Sequence, residues 1–244
     1  MNNHSSGSSA SLPFTVAVTR GSMVESRHLV AAAVCDSAGK MLRSWGNVES
    51  PVYLRSAIKP LQALPLIESG AADAFNVSEK ELSLACASHT GEPIHVEAVT
   101  AWLNRIGLGI EDLECGTHWP TYDPAAHALA AAGQEPMAAH NNCSGKHSGF
   151  LCTAVHLKEE TKGYIRRDHP VQKRIVAILE EFTDLDLSDA PVGIDGCSIP
   201  TIGIPLEHAA LAYARFADPS KFSTDRAAGC DRLQKAISKY PEMI

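Results

Sequence analysis

A chain of 244 residues, 45% hydrophobic and 20% charged, is long enough to bury its own core and too apolar to remain unfolded. No uninterrupted apolar run approaches the roughly 20 residues of a membrane-spanning helix. Lys and Arg total 21 against 28 Asp and Glu, and the resulting charge of −7 has the wrong sign for a protein whose main partner is a nucleic acid.

Residues 1–12 are polar and Ser-rich, with neither a charged n-region nor an apolar h-region, and are expected to form a disordered tail rather than an export signal. No Pro/Gly linker or internal repeat follows, so residues 13–244 read as one domain. Residues 14–18 and 28–35 have strand character, and Asp36-Ser37-Ala38-Gly39 is turn chemistry leading to a returning strand over 41–48. Helical spacing then takes over. It spans 56–68, with Pro60 tolerated in the first turn. Ser78 and Glu81 form a capping box opening a helix to about residue 88. Residues 93–106 form a helix closed by Gly107, and 144–159 another. The next, 168–182, has Asp168 as N-cap and Pro170 just inside. A short buried strand at 191–194 precedes helices at 205–216 and 224–239. A few strands around many helices predict an α+β fold with an antiparallel sheet.

Four polar segments stand out. Ser56-Ala57-Ile58-Lys59 is an S-x-x-K; positions three apart share a helix face, so the Lys59 amine can reach and activate the Ser56 hydroxyl. A chain this size carries about one such motif by chance, and read alone Ser56 is as readily an N-cap. The second copy, Ser37 to Lys40, falls in a turn with no helix face. Cys86-Ala87-Ser88-His89-Thr90-Gly91 places small and polar residues at a helix end, where a backbone can approach a ligand. Asn141-Asn142-Cys143-Ser144-Gly145-Lys146-His147 opens a helix with a nest of backbone donors suited to an anion. Cys143 and His147 are one helical turn apart, and with Cys197 of Ile194-Asp195-Gly196-Cys197 they offer a zinc ligand set. The remaining cysteines, Cys35, Cys86, Cys115, Cys152 and Cys230, read as small core hydrophobes in a reducing cytoplasm.

Taken together and in this order, Arg55-Ser56-Ala57-Ile58-Lys59-Pro60, Ala85-Cys86-Ala87-Ser88-His89, Asn142 to His147 and Ile194 to Cys197 resemble the Rhizobium etli-type, or class 3, L-asparaginases of the asparaginase II family. The resemblance implies a serine β-lactamase-like fold, a homodimer, and hydrolysis of L-asparagine to L-aspartate and ammonia. It implies catalysis by Ser56 with Lys59 and by Ser88 as the second serine, with Arg55, His89 and Asp195 at the substrate. It implies zinc held by Cys143, Lys146 and Cys197, so that Lys146 rivals His147 as the third ligand. Family members extend beyond residue 244, where their sheet closes and where the lysine partner of the second serine lies. The resemblance therefore implies a domain incomplete at its C-terminus, with Ser88 lacking its base. A β-lactamase or penicillin-binding-like serine acyltransferase, and a truncated non-catalytic zinc-binding relative, are the alternative functions.

Overall fold

In the computed structural model, which describes residues 14–244, the strands flank a body of helices. The tail expected over residues 1–12 lies outside the described residues. Strands β1 (Phe14–Arg20) and β2 (Met23–Val30) form an antiparallel hairpin, and β3 (Ala32–Cys35) pairs with β4 (Met41–Trp45). The expected second strand thus begins five residues earlier and breaks between Val30 and Ala32. Its period was hard to read because β2 is exposed on both faces, apart from the half-buried Val24 and Val30, and a strand without a core face carries no alternation.

Strand β5 (Pro51–Tyr53) leads to a tight turn, Arg55–Ile58, and then to helices α1 (Lys59–Gln62), α2 (Leu64–Glu68) and α3 (Ala71–Ala74). The single helix expected over 56–68 is therefore three pieces. Pro60 and Pro65 each sit at the start of a helix, where their missing N–H is harmless, but neither can continue the preceding ladder. Helix α4 (Glu79–Ala85) opens with the expected capping box: Ser78 Oγ accepts from Glu81 N at 3.3 Å and the Glu81 carboxylate accepts from Ser78 N at 2.8 Å. Helix α5 (Pro93–Arg105) ends before Gly107, whose φ of +78° suits a residue without Cβ.

Next come α6 (Asp123–Ala131), α7 (Ser144–His156) and α8 (Pro170–Thr183). The N-cap of α8 is His169 rather than Asp168. Its Nδ1 accepts from Val171 N at 3.2 Å while Nε2 bonds the Glu160 carbonyl at 3.0 Å; Asp168 instead pairs with Arg166 at the surface. Strands β6 (Val192–Ile194) and β7 (Pro200–Pro205) join β5 in a three-stranded antiparallel sheet ordered β5-β7-β6. Pro51 pairs with Pro205 at one end of this sheet and Pro200 closes the other, positions at which a missing donor is tolerated. Helices α9 (Leu206–Ala217) and α10 (Thr224–Lys239) complete the chain; α9 covers β3, and α10 packs on α2 and α4.

The core lies among the helices. Val171, Ile175, Ile178, Leu179 and Phe182 form one buried stripe of α8, and Leu61, Leu64, Leu66, Leu82, Leu84, Trp102, Leu103 and Leu151 fill the space between α1, α2, α4, α5 and α7. Each such side chain contributes about 1.5–3 kcal/mol on burial. The architecture is α+β with small antiparallel sheets. No helix among the described residues is long and apolar enough to cross a membrane.

Candidate active site

The Lys59 side chain leaves the first residue of α1 and runs into the interior, where it is 1% exposed. Its Nζ donates to the Ala87 carbonyl and to Ser88 Oγ, the latter at 2.8 Å. A third partner is the Cys143 sulfur. Among the described residues the Lys59 amine thus meets Ser88, from 29 residues on, and makes no hydrogen bond to the Ser56 hydroxyl, the partner that the S-x-x-K spacing suggested. Ser56 is exposed on the Arg55–Ile58 turn, where its carbonyl accepts from Lys59 N. Ser88, expected to lack a lysine partner, hydrogen-bonds the Lys59 amine. It is exposed while the residues on either side of it, Ala87 and His89, are fully buried. Burial lowers the Lys59 pKa from the ordinary lysine value; the negative charge that Cys143 can carry opposes this, and the positive charge of Lys146 reinforces it.

Behind Lys59 lies a second polar group. Lys146 Nζ, 2% exposed, donates to Cys197 Sγ at 3.1 Å, and Cys197 in turn hydrogen-bonds Cys143; these two thiols are also buried. The hydrogen bond from Cys197, helped by the Lys146 and Lys59 charges, pushes the Cys143 thiol down to about 5, while burial and the same hydrogen bond raise Cys197. His147 is not part of this group. Its Nδ1 meets Tyr164 Oη at 2.7 Å, its Nε2 has no hydrogen-bond partner, and burial drives its pKa well below the ordinary histidine value. Of the two rival ligands, Lys146 is the one in contact with sulfur.

Among the described residues no group of three or more His, Cys, Asp or Glu side chains is arranged to hold a metal ion. The convergent set is instead two sulfurs and one amine, a donor set that suits a thiophilic divalent ion once the amine is neutral.

Asp195 and Arg55 stand beside this centre. Asp195 starts the β6–β7 turn, is mostly buried, and accepts from Gly196 N at 2.8 Å and from Arg55 Nη2 at 2.8 Å. Its other oxygen lies 4.0 Å from Cys197 Sγ. Arg55 is exposed and holds a φ of +50°, an unfavourable conformation for a side chain with a Cβ, and the ion pair helps to fix it there. His89 lies differently from the sequence expectation. It is fully buried, with Nδ1 accepting from Gly91 N at 3.2 Å, so Nε2 carries the proton and donates to Ser144 Oγ at 2.8 Å; Ser144 passes its own proton to the Ala139 carbonyl at 2.9 Å. His89 supports the Ser88 loop from within and does not face solvent.

The donor nest expected before α7 is already occupied. Asn142 N donates to His118 Nε2 at 2.8 Å, Cys143 N to Asn141 Oδ1 at 2.9 Å, and Ser144 N to the Asn141 carbonyl at 2.9 Å. Asn141 Nδ2 reaches back to the Cys115 and Gly116 carbonyls. His118, Asn141, Ser144 and Tyr164 therefore set the position of Cys143 and its neighbours; Asn141 and Ser144 lie in the polar segment marked in the sequence, though without a role of their own, and His118 and Tyr164 lie outside it. Asn141, three residues ahead of the start of α7, carried an Asx-turn signal; His118 and Tyr164 act across 24 and 17 residues and carried none.

His89 also sets an acid limit. Burial, reinforced by the positive charge that His95 and Lys59 can carry, lowers its pKa to about 3. The folded chain thus keeps it neutral at pH values where the unfolded chain, near 6.5, takes up a proton. Its contribution is complete above about pH 6.5 and is lost as pH falls toward 3, on the order of a few kcal/mol. Urea unfolding of the parent and of His89→Gln between pH 7 and 4 should show a shallower loss of stability in the variant.

A search of curated proteins returned no match. A family model described as L-asparaginase II matches residues 16–244, which is nearly all of the chain and includes every residue of the centre described above; the chain belongs to the L-asparaginase II family.

Proposed function

We propose that this chain is an L-asparagine amidohydrolase in which Ser88 is the nucleophile and Lys59 its general base. The observation that carries the reading is the 2.8 Å hydrogen bond between a buried Lys59 amine and the exposed Ser88 hydroxyl. A desolvated lysine with a lowered pKa is the kind of base that can activate a serine. Neutral Lys59 takes the hydroxyl proton as Ser88 Oγ bonds to the side-chain carbonyl carbon of asparagine. The same proton then passes to the departing nitrogen, ammonia leaves, and a β-aspartyl ester remains on Ser88. Water, deprotonated by Lys59, hydrolyses the ester to L-aspartate and frees the serine. Arg55 and Asp195, an exposed cation and a carboxylate on the adjoining turns, suit the α-carboxylate and α-amine of the substrate. Ser56, exposed next to Arg55, is assigned to substrate contact.

Cys143, Cys197 and Lys146 would hold zinc, which supplies fixed positive charge beside the site. The reading carries with it a serine β-lactamase-like core and a homodimer, the latter open to sedimentation analysis. Ammonia release from L-asparagine, with L-glutamine in parallel, tests the activity; no release from either substrate by the folded chain overturns it. Glutamine is one methylene longer, a difference that a tight pocket rejects about 10–200-fold.

The metal set has its own test. Cys143→Ser and Cys197→Ser should each lose most of the zinc found by elemental analysis, because thiolates supply the charge that holds the ion. Lys146→Ala should lose it as well, whereas His147→Ala should retain it. The opposite pattern for the last two would make His147 the ligand.

A further inference from the structure

Beneath Ser88 lies a pair of imidazoles that the proposed reaction does not use. His89 and His95 are buried and stack with ring centroids 4.9 Å apart and planes inclined by 17°. Their partners fix both tautomers. His95 Nδ1 accepts from Glu92 N at 3.2 Å at the start of α5, so its proton is on Nε2, which donates to the Glu242 carbonyl at 3.1 Å. Glu242 belongs to the short turn Pro241–Met243, whose Met243 is fully buried. One residue earlier, the Tyr240 carbonyl accepts from Ser83 Oγ at 2.9 Å.

Ser83 is on α4, which leads into Ser88, and His95 is on α5, which follows it. The segment 240–243 is therefore bonded to the elements on both sides of the Ser88 loop. The loop is also held by Lys59 at the Ala87 carbonyl, by His89 N donating to the Asn142 carbonyl at 3.2 Å, and by Thr121 N donating to the Thr90 carbonyl at 2.9 Å, while the His89 ring inside it rests on His95. Lys59 is fixed by burial, so the length of its bond to Ser88 depends on where the loop sits.

We infer that His95 is a positioning residue for Ser88, with its hydrogen bond to the Glu242 carbonyl setting the ring plane on which His89 rests. This inference rests on the reading of Ser88 as nucleophile. Displacements on the order of 1 Å at a reacting atom can lower a rate 10²-fold without loss of the fold, so the effect belongs in kcat and not in substrate affinity.

Two substitutions separate the two bonds of the ring. His95→Asn places an acceptor where Nδ1 stood but cannot reach Glu242. His95→Gln places an amide donor where Nε2 stood. The experiment measures kcat and KM for ammonia release from L-asparagine, together with melting temperature, in the parent, His95→Asn, His95→Gln and Ser88→Ala. The expected result is a kcat lowered roughly 10-fold or more in His95→Asn, with KM within about twofold of the parent, and recovery of most of the rate in His95→Gln. If His95→Asn does not fold, Met243→Ala, which loosens the same segment and leaves both imidazoles in the chain, is held to the same kcat criterion. Parent kcat in His95→Asn, with Ser88→Ala inactive, overturns the inference and leaves the nucleophile standing. An equal loss in His95→Gln and His95→Asn also overturns it, since the tie to Glu242 would then not be what matters. Activity retained in Ser88→Ala overturns the inference and the nucleophile together.

Discussion

Ser88→Ala is expected to lower ammonia release from L-asparagine by at least about 10⁴-fold, as loss of a serine nucleophile does elsewhere, and Lys59→Met by about 10²–10⁴-fold. The two variants should differ in a second property. Ser88 is exposed, and its hydroxyl hydrogen-bonds the Lys59 amine, so its removal should leave the melting temperature near that of the parent. Lys59 is buried close to a second amine, that of Lys146. Methionine fills nearly the same volume without the charge, so Lys59→Met should be no less stable than the parent although the Ala87 carbonyl loses its donor. A fall in activity with unchanged or raised stability is what a base held in an unfavourable place predicts. Ser56→Ala, measured alongside, should lose far less activity than Ser88→Ala. If instead Ser56→Ala is the inactive variant, the nucleophile is Ser56, and the Lys59–Ser88 hydrogen bond is structural.

Gly145→Ala is the second large effect. A Cβ on Gly145 would stand 2.4 Å from the Leu84 carbonyl oxygen and 2.5 Å from Leu84 Cγ. The oxygen is backbone, so relief requires α7 and α4 to separate. Overpacking of this kind costs about 1–3 kcal/mol, and the rigid contact here favours the upper end. The two helices also carry the two halves of the site: Ser88 follows α4, and Lys146 is the next residue along α7. Melting temperature and asparaginase rate should therefore fall together in Gly145→Ala. Gly149→Ala, one turn further along α7, is the control. Its added carbon would meet nothing closer than Leu66 Cδ2 at 3.5 Å, and both properties should stay near those of the parent. Equal behaviour of the two variants would remove the helix contact as a determinant of the site.

What was legible in the sequence was local. The Ser78–Glu81 capping box, the Gly107 stop and the helix with Pro170 in its first turn are encoded within a few residues, and each is found where the spacing placed it. Strands were less legible. β7, Pro200–Pro205, carries a proline at each end and lies directly before α9, so it gave no strand signal, yet it is the central strand of its sheet. At the site, sequence spacing showed which residue types were available but not which elements face one another. The S-x-x-K spacing put Lys59 near Ser56 along the chain; the chain turn at Pro60 and the depth of α1 put its amine on Ser88. Cys143 and His147 share a helix face by count, yet Tyr164 draws His147 aside, and the sulfur partner is Lys146.

The β1–β2 hairpin has a consequence for how the molecule opens. Seven residue pairs hold the two strands together through a bulge at Val18 and Thr19, and the side chains of Val16, Val18, Met23 and Leu29 stand in solvent, Leu29 at 79% exposure. Little buried area therefore couples it to the helices. Protection against amide exchange follows such coupling, and regions with few buried contacts open in their own cooperative unit, far below the free energy of global unfolding. The amides of residues 15–29 would then exchange with deuterium through a local opening that leaves Lys59 in place, whereas those of α4 and α7 would exchange only when the whole helical body unfolds. The chain is thus two foldons of unequal strength, and the chemistry belongs entirely to the stronger one.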